Sequence, residues 1–189
     1  METNDIETAV RAMTIMASGD LAELHDVVHP DAINREAEAE PPDCRGRGPD
    51  AFAATARWLR AGFADLKFDI HEAVQSGDLV VVHCTMSGRQ VGPFVAYDEH
   101  GRVAQAIPPT GRRMAVTHTH WSRMRDGKVV EHWANRDDLT MSKQLHWVPP
   151  TPLFLVRMAL ATRQAARRQQ QQMQPALPPR REKQGVASA

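Results

Sequence analysis

The stretch LKFDIHEAVQSGDLVVVHCTMSG, residues 66–88, alternates apolar and polar side chains on either side of a Ser-Gly-Asp break at residues 76–78. Alternation with a period of two, interrupted by turn residues, predicts a β-hairpin with one buried face. Two further alternating segments, residues 113–125 and 128–136, flank an Asp-Gly turn. The second half of the chain therefore predicts a meander of long antiparallel strands.

Helical periodicity is found upstream of these strands. Residues 5–18 carry apolar side chains at helical spacing, residues 20–28 form a shorter apolar face that Asp20 can cap, and residues 51–63 follow a Gly-Pro-Asp start. Helices followed by strands are typical of the α+β class, here a curved antiparallel sheet packed against N-terminal helices. Such a sheet, curled around itself, leaves a pocket between its concave face and the helices.

The composition is that of a globular protein without a strong charge preference. Lys plus Arg and Asp plus Glu number 23 each in 189 residues, so no net field attracts nucleic acid or an anionic membrane. No apolar run is long enough to span a bilayer, and the acidic N-terminus does not resemble a signal peptide. Two cysteines, Cys44 and Cys84, are too few for a disulfide scaffold. We expect a cytoplasmic protein with neither a nucleic-acid nor a membrane partner.

The character of the sequence changes near Pro149. Residues 1–148 mix apolar periodicity with turn signals and are predicted to form the folded domain. Residues 149–168 contain a short apolar and basic segment, which predicts an amphipathic helix that docks on the domain or on a partner. Residues 169–189 are rich in Gln, Pro and charge with little to bury, which predicts a disordered tail.

Four motifs carry a family resemblance: GPDAFAATARWLRAGFADLKFDI (residues 48–70), SGDLVVVHCTMSGRQVGPF (76–94), IPPTGRRM (107–114) and RMRDGKVVEHWANRDDLTMSKQL (123–145). In this order they resemble a SnoaL-like polyketide cyclase or ester cyclase domain of the nuclear-transport-factor-like superfamily. The resemblance implies a cone-shaped α+β barrel, a homodimer and a small-molecule substrate. It does not define the reaction, because pockets of this superfamily serve cyclisation, isomerisation, hydrolysis and plain binding.

The last strand, residues 128–136, determines which polar groups reach the pocket. By strand alternation, Val129 and Trp133 share one side, and as the bulkier apolar pair they are expected to face inward. The polar residues on the same side are Glu131, Asn135 and Asp137. We therefore predict that Trp133, Asn135 and Glu131 line the substrate pocket.

Two adjacent carboxylates, Asp137 and Asp138, follow this strand. The same alternation places Asp137 at the pocket mouth and Asp138 outside. The resemblance implies that Asp137 is a general acid/base, with a pKa raised by partial burial against Trp133. The alternative is that Asp137 caps the short helix predicted over residues 139–145.

The preceding strand, residues 113–125, carries His118 and His120 on one face. Both rings can hydrogen-bond a substrate carbonyl or enolate oxygen, and the resemblance favours His120, because related domains often have histidine there. A zinc site would need a third ligand, which the local spacing does not supply, so no metal is predicted. Ordinary strand histidines with satisfied ring nitrogens are the alternative.

Two further positions are candidates for the pocket wall. Asn34 lies in the segment HPDAINREAEAE, where similar domains tend to have histidine after the Asn and this chain has Arg35. We expect Asn34 to be a polar contact and Arg35 to be an anchor for an acidic substrate or a surface ion-pair partner. Phe94 ends the segment GRQVGPF, which predicts a rim over the pocket with Phe94 as apolar wall.

No nucleotide-binding glycine loop and no activated Ser or Cys nucleophile is found in the sequence. The prediction is a cofactor-independent cyclase for a polyketide-type or other carbonyl substrate, acting by aspartate general acid/base chemistry in an intramolecular aldol reaction. The alternatives are a non-catalytic ligand-binding or dimerisation module of the same fold, and a hydrolase or isomerase that uses the same pocket.

Overall fold

The computed structural model of the chain describes residues 4–173. Its helices are α1 (Asp5–Ser18), α2 (Leu24–Val27), α3 (Gly48–Gly62), α4 (Asp138–Gln144) and α5 (Pro152–Met173). Its strands are β1 (Val28–Asn34), β2 (Phe63–Ser76), β3 (Leu79–Gln90), β4 (Phe94–Tyr97), β5 (Val103–Ile107), β6 (Arg113–Arg125) and β7 (Lys128–Arg136). No helix within residues 4–173 combines the length and the apolar character that crossing a bilayer requires.

The predicted α+β class is confirmed. Five strands form one sheet in the order β1-β7-β6-β3-β2, and β4 pairs with β5 in a separate two-stranded sheet. The helix α1 and the strands β6 and β7 have the predicted bounds. Two details differ from the expected antiparallel barrel: β1 pairs with β7 in parallel, so the sheet is mixed, and the linear strand order shows that the sheet does not close.

The segment predicted as a second helix, residues 20–28, divides into shorter elements. It forms a 3-10 turn over Leu21–Glu23, one turn of helix in α2, and then the start of β1. Asp20 caps the 3-10 turn by accepting a hydrogen bond from the backbone nitrogen of Ala22 at 3.0 Å. Because the apolar face of this segment is so short, tertiary pairing of β1 with β7 overrides the helical pattern.

The core lies between the helices and the inner face of the sheet. Alternate residues of β3 supply its centre, with Val80, Val82, Cys84 and Met86 at most 5% exposed. Cys84 is therefore a small buried residue, as its place in the alternation predicts, and burial raises the pKa of its thiol to about 11.

A β-bulge changes the facing of β7. Met124 of β6 pairs with Val129, but Arg123 pairs with Glu131, so Val130 is an extra residue in β7. An extra residue shifts the alternation by one, and every later side chain changes face. Beyond Val129 the predicted inward side of β7 is therefore wrong, and the residues that face inward are His132, Ala134 and Arg136.

The helix α5 extends five residues beyond the predicted end of the basic helix, to Met173, and packs along β5. The Thr162 hydroxyl accepts a hydrogen bond from the backbone nitrogen of Ala106 at 2.9 Å. The Gln169 amide accepts from the backbone nitrogen of Val103 at 3.0 Å and donates to the carbonyl of Gly101 at 2.6 Å. Of the two predicted options, this helix docks on its own domain. Most of the predicted disordered tail, from residue 174 onward, lies outside the described residues.

Candidate active site

A cavity of about 370 Å³ lies between the helices and the inner face of the large sheet. This volume is in the range of sites that enclose small organic molecules. Much of its wall is apolar and includes Met13, Phe52, Phe63, Phe68, Phe94 and Trp147. Polar groups enter this wall at a few points, which include Asn34, Glu40, Thr55, His118, His120 and His132.

Three of these polar residues form a hydrogen-bonded chain. The Oδ1 atom of Asn34 lies 3.0 Å from Nδ1 of His132, and Nε2 of His132 lies 2.9 Å from Nδ1 of His120. The same Asn34 oxygen accepts a hydrogen bond from the backbone nitrogen of Glu36 at 3.2 Å, which identifies it as the acceptor end of the amide. His132 must then donate from Nδ1 and accept at Nε2, and His120 must donate from Nδ1. The network therefore assigns the free lone pair of His120 to its Nε2 atom.

The outer end of this chain has no partner. Within residues 4–173, Nε2 of His120 and both ring nitrogens of His118 are buried without a hydrogen bond. Buried polar atoms are normally paired, so such atoms on a cavity wall indicate a place for a polar group of a ligand. The ring of Phe68 packs edge-on against the ring of His120, with centroids 5.4 Å apart, so the surroundings of the unpaired nitrogen are apolar.

Burial keeps all three imidazoles neutral near pH 7. Desolvation, and then the charge of Arg136, lowers the pKa of His118 and of His132 to about 4. Desolvation lowers the pKa of His120 well below its usual value, and the neighbouring rings of His132 and His118 act in the same direction. A neutral His120 with a fixed tautomer presents a proton acceptor to the cavity.

The structure brings together four of the predicted site residues. His118, His120, Asn34 and Phe94 all line the cavity. Phe94 forms its wall by packing against Trp58, with ring centroids 4.7 Å apart. The predicted inward face of β6 and the predicted apolar rim are therefore correct in their placement.

The polar residues predicted from β7 are placed on the opposite face of the sheet by the bulge. Trp133 stacks on Trp121 at 6.0 Å, and the indole nitrogen of Trp121 donates to the Asn135 side chain at 3.0 Å. Glu131 forms an ion pair with Arg35, whose guanidinium lies 5.1 Å above the Trp133 ring. The prediction that Trp133, Asn135 and Glu131 line the substrate pocket is thus wrong, and Arg35 is the surface ion-pair partner.

The two adjacent aspartates exchange the positions expected for them. Asp137 caps α4 by accepting a hydrogen bond from the backbone nitrogen of Thr140 at 2.9 Å, which is the alternative that the sequence left open. It is solvent-exposed, and the hydrogen bonds from Thr140 lower its pKa instead of raising it. Asp138 lies at the cavity mouth, 3.6 Å from the guanidinium of Arg136. The prediction that Asp137 is held half-buried in the pocket is wrong, because the extra residue in β7 moves its side chain outward.

Several cavity residues were missed by sequence reasoning, and two of them, His132 and Glu40, matter most for the chemistry. His132 follows Glu131 in the strand, and only knowledge of the bulge would have assigned it to the inner face. Glu40 ends the acidic segment REAEAE, whose composition indicates an exposed loop, yet its side chain is 4% exposed. Burial raises the pKa of Glu40 to about 7. The small Ala37 between the glutamates, which is buried, was a weak signal that one side of this segment is covered.

The cavity side chains are not arranged as a metal site. Within residues 4–173, no group of three or more His, Cys, Asp or Glu side chains has the geometry to hold a metal ion. The arrangement can therefore bind an apolar molecule, place a carbonyl oxygen near the ring of His118, and accept a proton at Nε2 of His120.

Comparisons with known proteins agree with this architecture. The profile of the SnoaL-like polyketide cyclase family matches residues 7–145. Aklanonic acid methyl ester cyclase DauD of Streptomyces sp. (strain C5) is 30% identical over 78% of this chain and 83% of its own. The nogalonic acid methyl ester cyclase of Streptomyces nogalater is 28% identical over 61% and 77% of the two chains. The solved structure of TsrD from Streptomyces laurentii is 27% identical and superposes with a TM-score of 0.59 over 77% of this chain and 97% of that one. The chain therefore belongs to the SnoaL-like polyketide cyclase family.

Proposed function

We propose that the protein is a cofactor-independent cyclase that closes a ring in a polyketide-type ester by an intramolecular aldol reaction. The observation that carries this proposal is the chain from Asn34 through His132 to His120, which leaves an unpartnered proton acceptor in an apolar cavity. The two curated relatives are named for cyclising the methyl esters of aklanonic and nogalonic acid, which supports an ester of this class as substrate. An aldol closure involves no net oxidation or reduction, so side chains alone can supply its proton transfers.

The first step is removal of a proton from a carbon between two carbonyl groups. Nε2 of His120 takes this proton, and the C–H electron pair becomes the enolate. The imidazolium that forms donates from Nδ1 to His132, whose own N–H is held by the Asn34 carbonyl oxygen. Burial disfavours an isolated cation at this position, but the enolate beside it carries the compensating charge.

The second step is attack of the enolate carbon on a ketone carbon of the same molecule. His118 has two ring nitrogens without a partner, and an N–H from this ring supports the enolate oxygen. The apolar wall folds the flexible substrate so that the two reacting carbons meet. Because such positioning replaces a search through many conformers, it supplies much of the rate acceleration.

In this proposal the general base is His120 and not Asp137. Asp137 is exposed and does not line the cavity, and its oxygen is already engaged with the first turn of α4. Its role is to start the helix that leads Met141 and Leu145 into a hydrophobic core cluster, of which Met141 also lines the cavity. The two assignments make opposite predictions for two matched variants.

The test is conversion of aklanonic acid methyl ester and nogalonic acid methyl ester by the purified protein and by H120Q and D137N. H120Q keeps a hydrogen-bonding side chain but cannot take up a proton, so we expect kcat to fall by roughly a hundredfold or more while KM changes only a few-fold. D137N keeps an acceptor oxygen for the helix cap, so we expect its kcat to stay within about threefold of the unsubstituted protein.

Three results would contradict this proposal. Loss of turnover in D137N with full activity in H120Q would return the catalytic role to the aspartate. Binding of both esters without conversion by the unsubstituted protein would indicate a ligand-binding module. Oxygen from isotope-labelled water in the product would indicate a hydrolase.

A further inference from the structure

A buried glutamate lies on the cavity wall and is not used by the steps above. Glu40 follows the 3-10 segment Arg35–Ala39, is 4% exposed and lines the cavity. Its Oε2 atom accepts a hydrogen bond from the Thr55 hydroxyl of α3 at 2.5 Å. A carboxyl group with so little solvent contact needs a cation or a proton to offset the lost hydration.

The neighbouring cations do not pair with this carboxyl group. Arg45 donates to the backbone carbonyl of Glu40, at 3.2 Å from Nε and 3.0 Å from Nη2. Arg136 forms its ion pair with Glu36, at 3.3 Å. No ion pair of Glu40 itself occurs within residues 4–173. The carboxyl group therefore keeps its proton up to about pH 7, because burial raises its pKa to about 7.

The ionisable groups that face Glu40 come from three elements. The Cys44 thiol approaches it from the 3-10 segment Pro42–Arg45, Glu36 comes from the segment that precedes Glu40, and Arg136 approaches from β7. Desolvation is the largest influence on the pKa of Glu40 and raises it, Glu36 acts in the same direction, and Thr55, Cys44 and Arg136 oppose it.

The neighbouring glutamate of the same segment has a different role. Glu36 accepts a hydrogen bond from the backbone nitrogen of Ala134 at 3.0 Å and is held by Arg136, so its carboxylate fastens β7 to this segment. Glu40 makes no such bond to the sheet. Burying an acid without a cation costs stability, and buried acids of this kind cluster at functional sites.

We propose that Glu40 is the general acid of the cavity and delivers its proton to the carbonyl oxygen that becomes the new hydroxyl group. This inference rests on the proposed cyclase function and adds the second proton-transfer residue to it. As the C–C bond forms, the carbonyl π electrons move to oxygen, and this oxygen takes the proton from the Glu40 carboxyl group. The proton held by His120 then leaves to solvent and Glu40 takes one up, so the protons balance over one turnover.

The helix α3 contacts both Glu40 and the hydrogen-bonded chain that ends at His120. The ring of Phe52 packs edge-on against the ring of His132, with centroids 6.3 Å apart. Thr55, one turn later on the same helix, donates a hydrogen bond to Glu40. The base therefore belongs to the sheet wall of the cavity and the acid to the helix wall. Thr55 is a positioning residue, because its hydroxyl stabilises the carboxylate left after proton transfer.

A titration tests the proton-holding role without any substrate. Carbon NMR of the protein labelled at its glutamate carboxyl groups is recorded as a function of pH for the unsubstituted protein, E40Q, T55V and E38Q. We expect one glutamate that titrates near neutral pH. Its signal should be absent in E40Q, shifted to higher pH in T55V and unchanged in E38Q, which alters an exposed glutamate of the same segment. Titration of all glutamates in the ordinary acidic range would overturn the inference.

Kinetics with the two methyl esters test the catalytic role. We expect E40Q to lower kcat by roughly a hundredfold with KM changed only a few-fold, and to lose the alkaline limb of the kcat profile against pH. T55V should move that limb to higher pH, which a purely structural residue would not do. E38Q should behave like the unsubstituted protein.

The outcomes separate this inference from the proposed function. Full activity of E40Q, with an inactive H120Q, would refute the role of Glu40 alone. Absence of conversion by the unsubstituted protein would refute the cyclase function and the acid step with it. Thermal melting of E40Q, which is isosteric with the native residue, checks that a loss of turnover is not a loss of fold.

Discussion

The buried imidazoles make the folded state sensitive to acid, and the effect of His118 can be isolated. Its pKa is about 4 in the folded protein, against about 6.5 in an unfolded chain. Between about pH 6.5 and about pH 4 the His118 ring is protonated in the unfolded chain but stays neutral in the folded protein. The stability contributed by the neutral ring is therefore lost as the pH falls from about 6.5 towards about 4. Between about pH 7 and about pH 5 this single ring costs roughly 2 kcal/mol of unfolding free energy.

Glu40 acts in the opposite direction over the same range. Its pKa is raised to about 7 in the folded protein from an ordinary value of 4.5, so the folded state binds the extra proton. The folded state therefore gains stability as the pH falls from about 7 towards 4.5, again by roughly 2 kcal/mol between about pH 7 and about pH 5. The net change in the unsubstituted protein combines both effects, so the variants are more informative than the sum.

The assay is urea unfolding followed by far-UV circular dichroism at the two pH values. The quantity compared is the difference in unfolding free energy between them, which cancels any direct packing cost of a substitution. We expect H118F to lose about 2 kcal/mol less than the unsubstituted protein on acidification, and E40Q to lose about 2 kcal/mol more. H100Q, which removes an exposed imidazole from the turn between β4 and β5, is the matched control and should reproduce the unsubstituted difference.

An H118F protein with the same pH difference as the unsubstituted one would refute the reasoning. It would mean that the His118 ring is already solvated in the folded state, and that it has no unpaired nitrogen to offer a substrate. A shift of equal sign in H118F and E40Q would likewise contradict the assignment of a neutral base and a protonated acid to one cavity.

Two further predictions concern the backbone and the relay. G48A should destabilise the fold by more than about 2 kcal/mol in urea unfolding, because Gly48 has φ +77 and an added Cβ would lie 2.6 Å from the Pro30 carbonyl oxygen. G111A, at φ +72 with nothing within 4 Å of the added Cβ, should cost only about 1 kcal/mol, and equal costs would disprove the close contact. N34L removes the acceptor that fixes the His132 tautomer, so kcat in ester conversion should fall by at least about tenfold. N34D keeps that acceptor and should retain turnover. If N34L were as active as the unsubstituted protein, the hydrogen-bonded chain from Asn34 to His120 would not be needed.

The fold was predictable from the sequence because the helical and strand periodicities of its apolar residues are clear over long segments. The alternation of β3 and β6 placed His118 and His120 on the inner face correctly, since no residue interrupts either strand in that part of the ladder. The parallel pairing of β1 was not predictable, because its seven residues follow a short helical pattern and carry no clear alternation of their own.

The site was only partly predictable, and one inserted residue explains most of the difference. A bulge leaves no mark in an apolar run such as Val129-Val130, yet it exchanges the faces of every residue that follows. Glu40 was hidden for another reason. Its burial depends on Thr55 and on the closure of α3 over the segment, contacts between residues that are distant in the sequence.

The docking of α5 has a consequence for how the chain can be shortened. Within residues 4–173, β5 has a neighbouring strand only on the side of β4, and Thr162 and Gln169 bond backbone groups on its other side. A protein cut after residue 148, where the family resemblance has ended, would expose the backbone nitrogens of Val103 and Ala106 at this edge. Exposed strand edges of this kind recruit strands from other molecules. The C-terminal helix therefore covers this strand edge, and we expect a chain without it to self-associate.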